Sequence, residues 1–166
     1  GTDAALFNID SATGAVTFKT SPNFESPQDA GANNVYDVTV TASDGTLSAN
    51  KAVAITVTNV NESPSVTSGG TASFAENGTG TVYTATGSDP DAGTTLGYSI
   101  SGTDAALFNI DSTTGAITFK TAPDFENPQD AGGNNVYDVT VTASDGSLSA
   151  SKAVAITVTN VNEAPS

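Results

Sequence analysis

Acidic side chains are the residues of this sequence most able to do chemistry. The chain carries 18 Asp and Glu against four Lys, no His and no Cys, for a formal charge of −14. Most carboxylates lie in short segments rich in turn residues, such as FAENGTG, SDPDAG, PDFENP and ASDG. Clustered carboxylates attract cations, whereas nucleic acid and anionic membranes need basic surfaces. We therefore expect cations as partners, no nucleic acid and no membrane insertion.

Catalysis is not expected from this set of residues. Without His or Cys, the chain lacks the usual groups for nucleophile activation, proton transfer and zinc binding. A carboxylate pair such as Asp89 and Asp91 would suit a glycosidase. The pair is predicted at the end of a domain with no evident pocket, so we do not expect an enzyme.

The sequence contains a long internal repeat. Residues 1–65 and 102–166 are identical except at nine positions, which gives a period of 101 residues. A unit of about 100 residues is a whole domain by ordinary size statistics. The repeat therefore predicts a tandem array of domains.

The elements that must position the acidic residues are predicted to be short β-strands. In YDVTVTASDG, Tyr137, Val139 and Val141 alternate with Asp138 and Thr140, the period-two pattern of a half-buried strand. Similar segments are separated by Gly, Pro, Asp and Ser, and no window shows a helical face. About seven such strands per repeat predict an all-β fold of immunoglobulin-like, seven-stranded β-sandwiches in tandem.

The first copy is predicted to lack its N-terminal strands. Residues 66–101, which hold three predicted strands, have no counterpart before Gly1. We expect a partial repeat of four strands over residues 1–62 and a complete repeat with a C-terminal linker over residues 63–166. The linker NESPS spans at most about 17 Å, too little for residues 66–101 to return along a strand of about 30 Å. The missing strands then come either from upstream residues or from an identical chain that donates strands head-to-tail.

Several motifs in fixed order resemble a known family. The repeat reads FNIDSTTGAITF, then DFE, then Ala-x-Asp-Gly after a long strand, then NVNEAP at the end. In this order the sequence resembles cadherin-type repeats. The near-identical copies and the lack of cysteine look more like the bacterial cadherin-like repeats of surface or secreted adhesins than like animal cadherins.

The resemblance implies Ca²⁺ between consecutive repeats. Calcium takes six to eight oxygen ligands, and carboxylates and amide carbonyls supply them. The residues that match the family pattern at the internal junction are Asn23, Glu25, Asn59, Asn61, Glu62, Asp89, Asp91 and Asp145. A C-terminal half-site would consist of Glu76, Asp124, Glu126, Asn160, Asn162 and Glu163, and Asp44 would belong to an N-terminal half-site. Asn59, Ser63 and Asn23 depart from the usual pattern, and fewer carboxylates imply weaker binding.

Other conspicuous residues have structural interpretations. Asp10 and Asp111 are expected to accept hydrogen bonds within the turn before Thr-Gly. The aromatic residues are expected in the core rather than on a sugar-stacking surface. They are Phe7, Phe18, Phe24 and Tyr36, with their copies Phe108, Phe119, Phe125 and Tyr137. PQDAGGNNVY is expected to be a flexible surface turn, with an ion or a glycan on Asp130, Asn134 and Asn135 as the alternative.

Two functions remain open at this point. The first is a calcium-rigidified structural repeat, a stalk or fibre module of a bacterial extracellular adhesin or matrix protein. Its partners would be neighbouring repeats and identical chains. The second is a calcium-dependent module that binds polysaccharide or sister repeats in cell aggregation. Both imply an extracellular, cell-surface location.

Overall fold

The computed structural model describes residues 1–164 and divides into two compact units, Gly1–Asn61 and Glu62–Ser166. Both units are built of β-strands with one short 3₁₀ turn each, Ala4–Leu6 and Ala105–Leu107. Within residues 1–164, no helix has the length and apolar character needed to cross a bilayer. Residues 165 and 166, the end of the predicted second repeat, lie outside the described residues.

The first unit contains four strands in two antiparallel pairs. Strand β1 (Phe7–Ile9) pairs with β2 (Val16–Phe18), with Phe7 opposite Phe18. Strand β3 (Val35–Ser43) pairs with β4 (Ser48–Thr56) along its whole length. Asp-Gly turn residues join β3 to β4, and alternation of Val and Thr keeps one face of the hairpin apolar.

The described residues of the second unit, 62–164, form nine strands. They are β5 (Ser65–Val66), β6 (Thr71–Ala75), β7 (Thr81–Thr84), β8 (Gly87–Ser88), β9 (Gly97–Ser101), β10 (Phe108–Ile110), β11 (Ala116–Phe119), β12 (Val136–Ser144) and β13 (Ser149–Thr159). One sheet has the order β10-β11-β7, a second has the order β6-β13-β12-β9, and β5 pairs with β8. Strands β6 and β13 run parallel, and the other pairs are antiparallel.

The core of the second unit lies between its two larger sheets. Tyr137, Val139 and Val141 of β12 are at most 2% exposed, which confirms the predicted alternation. The Tyr137 ring meets Phe108 and Phe119 edge-on, with centroids 6.0 and 5.1 Å apart. Because Phe108 and Phe119 belong to the opposite sheet, these contacts hold the two sheets together as a sandwich.

The inner face of the first unit is more exposed, although its sequence is nearly the same. Val53 is 38% exposed, whereas its copy Val154 is 2% exposed. In the second unit, strands β6, β7 and β9 pair with the edges of β13, β11 and β12. Among the described residues, no strand pairs with the matching edges of β4, β2 and β3. The difference in burial follows from those missing neighbours.

The aromatic residues occupy interior positions in both units, with one exception. Tyr36, Tyr137 and Phe108 are at most 3% exposed, and the remaining predicted core rings are half-buried. Phe24 is 37% exposed, so the expectation of a core position is wrong for this ring. Phe7, Phe18 and Tyr36 repeat the ring cluster of the second unit.

Candidate metal centre

Three carboxylates meet at one end of the second unit. One oxygen each from Glu76, Asp124 and Glu126 lies within 4.8 Å of the other two. These residues come from two distant segments, just after β6 and the loop between β11 and β12. The fold thus gathers half of the predicted C-terminal set around a single point.

Glu76 is the buried member of this cluster, 3% exposed. Its Oε1 accepts a hydrogen bond of 2.7 Å from the Val161 amide, and its Oε2 accepts one of 2.8 Å from the Phe125 amide. These backbone donors, Val161 first, lower the pKa of the Glu76 carboxyl. Glu76 is therefore a fixed anion that ties the end of β6 to the acidic loop and to the segment after β13.

Asp124 and Glu126 are exposed and share a turn. Asp124 Oδ1 accepts hydrogen bonds from the amides of Glu126 and Asn127, at 3.0 and 3.2 Å. Although the Glu126 side chain is largely exposed, desolvation of its carboxyl raises its pKa, and the charges of Glu76 and Glu163 raise it further. These carboxylates repel one another, and a bound divalent cation would reduce that repulsion.

Amide side chains hold the outer carboxylates. Asn160 Nδ2 donates to Glu126 Oε1 at 2.7 Å, and Asn77 Nδ2 donates to Glu163 Oε1 at 2.6 Å. The structure therefore brings Asn160 to the cluster, whereas Asn162 is exposed. Asn77 was not predicted as a site residue. Its signal is the Asn-Gly dipeptide after Glu76, since Asn77 has a φ of +58°, a conformation that Asn tolerates well.

A buried polar brace supports the acidic loop. Asp130 accepts from the amides of Asn134 and Asn135, and Asn135 Nδ2 donates to the Phe125 carbonyl at 2.9 Å. Asp130 and Asn135 are 6% and 8% exposed, so the expectation of a surface turn is wrong for both; Asn134 is exposed. Because Phe125 lies between the two exposed carboxylates, this brace fixes the backbone that carries them.

Asp104 anchors the same loop to the sheet, and sequence reasoning missed it. Its carboxylate accepts hydrogen bonds of 2.8 Å from Ala131 and 2.7 Å from the Asp138 amide. Asp3 makes the same two contacts, with Ala30 and Asp37, in the first unit. Both Asp residues are 4% exposed, and only the Gly-Thr-Asp before a short apolar run marks them in the sequence.

A second acidic group of the same unit includes Asp89, Asp91 and Glu62. Asp89 Oδ1 accepts from the Asp91 amide at 2.9 Å, and Asp91 Oδ2 accepts from the Glu62 amide at 3.0 Å. Asp89 Oδ2 is buried and has no hydrogen-bond partner among the described residues. The Asp-x-Asp segment is thus joined to the start of this unit by a hydrogen bond from the Glu62 amide.

Asp145 and Asp44 close the long hairpins. Asp145 Oδ1 accepts from Ser147 and Leu148, both at 2.6 Å, and Asp44 Oδ1 accepts from Thr46 and Leu47. The backbone donors, Leu47 first, lower the pKa of Asp44. Each carboxylate therefore has a structural role in its turn through Oδ1.

The remaining predicted ligands belong to the first unit. Asn23 Oδ1 accepts from the Glu25 amide at 2.8 Å, in the same turn that Asp124 makes with Glu126. Asn59 and Asn61 are exposed. Since these four residues lie in one unit and Glu62, Asp89, Asp91 and Asp145 in the other, the eight-residue junction site stays a prediction.

Comparison with known proteins supports the fold. No protein-family profile and no curated protein sequence matches the chain. Solved structures similar to it include domains EC22–24 of mouse cadherin-23, with a TM-score of 0.66 and 23% identity over 94% of this chain and 50% of that one. They also include domains EC1–2 of human protocadherin-24, with a TM-score of 0.70 and 20% identity over 97% and 80%. Domains EC1–4 of Drosophila N-cadherin give a TM-score of 0.67 and 26% identity over 98% and 39%. The chain thus has a cadherin-like fold and spans half of the cadherin-23 structure.

Proposed function

We propose that this chain is a calcium-rigidified structural repeat, a stalk or fibre module of a bacterial extracellular adhesin or matrix protein. Calcium is the proposed ligand of both acidic groups, and neighbouring repeats are the proposed partners. The observation that carries the proposal is the carboxylate cluster of Glu76, Asp124 and Glu126, within 4.8 Å. Its all-oxygen donor set suits a hard cation such as Ca²⁺.

The preformed backbone of the cluster supports a metal role. Two amide hydrogen bonds stabilise the charged form of Glu76. The loop that carries Asp124 is held by the hydrogen bond from Asn135 to the Phe125 carbonyl. The pKa of the Glu126 carboxyl, by contrast, is raised by desolvation first and then by the charges of Glu76 and Glu163. A bound divalent cation would remove the repulsion among these charges, so stability and metal binding should be linked.

The alternative function, calcium-dependent binding of polysaccharide or of sister repeats, receives less support. Sugar-binding surfaces commonly present flat aromatic rings, and here the rings of Phe108, Phe119 and Tyr137 pack against one another. The outward face of β12 carries Val136, Asp138, Thr140, Thr142 and Ser144, and no aromatic ring. Such a face suits a spacer. An extracellular location follows from the proposed function, and we propose no enzymatic activity.

Calorimetry and thermal unfolding with and without chelator test the proposal. We expect Ca²⁺ to bind and to raise the unfolding midpoint, with a gain of about 2.7 kcal/mol at a concentration one hundred times the dissociation constant. The variant Glu76→Gln should lose most of this gain. Asp138→Asn, which removes one charge from the exposed face of β12, is the matched control and should keep it.

The following results would count against the proposed calcium site. If about 1 mM Ca²⁺, the upper range for extracellular modules, produced neither heat nor a shift in the midpoint, the metal role would be wrong. If calcium acted equally on Glu76→Gln and on Asp138→Asn, the ion would bind elsewhere. Calcium-dependent capture on a glycan array would favour the alternative function.

A further inference from the structure

A cavity of about 580 Å³ lies beside the acidic loop of the second unit. Its walls come from the end of the 3₁₀ turn, the end of β11, the loop that follows β11, and Tyr137 of β12. None of its lining residues belongs to the stretch 62–101, so the cavity is built from the repeated part of the sequence. Its volume lies within the range of about 300–1,000 Å³ that is usual for small-molecule sites.

The first unit contains the matching cavity, with a smaller volume of about 390 Å³. Lys19 and Tyr36 line it, and they are the counterparts of Lys120 and Tyr137 in the larger cavity. The cavity is therefore a feature of the repeat and not of one copy alone.

Several differences between the two copies fall at the larger cavity. Eleven residues line it, and three of them are among the nine positions at which the copies differ. The three are Ala122, Asp124 and Asn127, which stand where the first copy has Ser21, Asn23 and Ser26. The two cavities therefore offer different polar groups within one framework, as sites for different ligands would.

The polar groups of the larger cavity retain hydrogen-bonding capacity. Tyr137 is 1% exposed, and its hydroxyl accepts from the Gln129 amide at 3.3 Å, which leaves its own proton to donate. Lys120 Nζ donates to the Ala106 carbonyl at 2.7 Å and has two further N–H groups. Gln129 Nε2 donates to the Asn127 carbonyl at 3.0 Å, and Gln129 Oε1 is an acceptor. The lining thus offers both donors and acceptors to a ligand.

Apolar walls and balanced charges complete the lining. Leu107, Phe119 and Pro123 supply carbon surface. Lys120 and Asp124 are the charged lining residues, and their charges cancel. Because the whole chain carries a charge of −14, it repels an anionic ligand, whereas Lys120 opposes a cationic one. These charges favour a neutral ligand.

We propose that the cavity of the second unit binds a neutral saccharide. Each hydroxyl group of a sugar both donates and accepts hydrogen bonds, which suits the mixed capacity of Lys120, Gln129 and Tyr137. The C–H groups of a sugar ring suit the apolar walls at Leu107 and Phe119. The site is a cavity, unlike the flat aromatic surface discussed for the alternative function, and it binds its ligand without calcium.

A chemical-shift titration of the full chain in the presence of chelator tests the proposal. The neutral probes are cellobiose, maltose, lactose and mannobiose, and the comparison compounds are glucuronate and glycerol. We expect at least one neutral disaccharide to shift the amide signals of residues 119–129 in a saturable way, and glycerol to cause no such shift. The absence of a saturable shift with all four disaccharides, or tighter binding of glucuronate or glycerol, would overturn the proposal. Because chelator is present, that failure would leave the proposed calcium site unaffected.

Blocking the cavity provides a matched control within the molecule. Ala122 is an exposed lining residue, so Ala122→Trp should keep the fold and abolish the shifts caused by the sugar. Ser21→Trp makes the matching change in the first unit and should leave those shifts intact. Lys120→Met keeps the apolar stem and should weaken binding about fivefold, the effect of one ordinary hydrogen bond. Unchanged binding in Ala122→Trp would place the sugar elsewhere and overturn the proposal.

Discussion

At the scale of single residues, carboxylates in this protein first organise the backbone. Asp10 and Asp111 each accept amide hydrogen bonds from the residues two and three positions further along the chain, as their turn sequences predict. These bonds lower the pKa values of both carboxyls. Local patterns of this kind are readable from sequence because donor and acceptor are adjacent in the chain. Asp104, by contrast, contacts Ala131 and Asp138, which lie 27 and 34 positions further along the chain, and no local sequence pattern predicts these contacts.

The lowered pKa values predict sensitivity to acid. An acid whose pKa is depressed in the folded state contributes stability above its unfolded pKa, and that stability is lost as the pH falls through the folded value. We expect the free energy of unfolding to decline below about pH 4, the usual range of Asp. Urea unfolding at several pH values checks this, and Asp111→Asn should show a smaller decline. An equally steep decline in that variant would show that Asp111 does not contribute to the loss of stability in acid.

The contribution of Glu126 to stability changes with pH in the opposite direction. Because its pKa is raised in the folded state, its contribution is present below the unfolded pKa and is lost as the pH rises through the folded value. We expect Glu126→Gln to stabilise the calcium-free protein at neutral pH and to reduce its response to calcium. Thermal unfolding at pH 7 with and without calcium measures both effects. A loss of stability in the calcium-free protein would contradict the role given to repulsion.

Asp104→Ala should destabilise the second unit strongly. The change leaves the amides of Ala131 and Asp138 without their acceptor, and unmet buried donors cost about 1–3 kcal/mol each. We expect a loss of about 2 kcal/mol or more in urea unfolding. Asp104→Asn, which keeps one acceptor oxygen, should lose less. Equal losses would mean that Asp104 acts by charge and not by its hydrogen bonds.

At the scale of elements, alternation of Val and Thr was enough to predict the long hairpins. It predicted the inward residues of β12 correctly, and the internal repeat extends the same assignment to β3. Very short strands such as β5 and β8 have too few residues to show a period, so they could not be predicted separately. The buried brace was missed because Gly, Asn and Asp are usual in exposed turns.

Identical valines in different surroundings provide a test of packing. Val154→Ala removes two methyl groups from a site that is 2% exposed, and we expect a cost of about 2 kcal/mol from lost burial and a cavity. Val53→Ala affects a site that is 38% exposed and should cost much less. Urea unfolding of both variants measures the difference. Equal costs would show that the face of the first unit is covered in solution.

At the scale of the whole molecule, the order of the motifs along the sequence predicted the fold better than it predicted the candidate metal site. The series of motifs indicated a cadherin-like fold, and solved cadherin structures share it. Glu76, Asp124 and Glu126 belong to the predicted C-terminal half-site, whereas Asn77 was not predicted and Asn135 was expected in a surface turn. Their roles depend on contacts over distances in the chain that only the folded sheets create.

The predicted junction has its own test at this scale. Replacing Asp89 and Asp91 together by Ala should abolish any effect of calcium on the range of bending at residues 59–65, while each unit stays folded. X-ray scattering with and without chelator measures the change, and circular dichroism checks the fold. An unchanged calcium response in this double variant would remove both residues from the proposed ligand set.

The parallel pairing of β6 with β13 has a mechanical consequence. Residues 71–75 and 155–159 run side by side in the same direction, near opposite ends of the second unit in sequence. Tension applied to the two chain ends would pull these neighbours in opposite directions along their length. The hydrogen bonds between them would then be loaded in shear, all together, instead of being unzipped one after another.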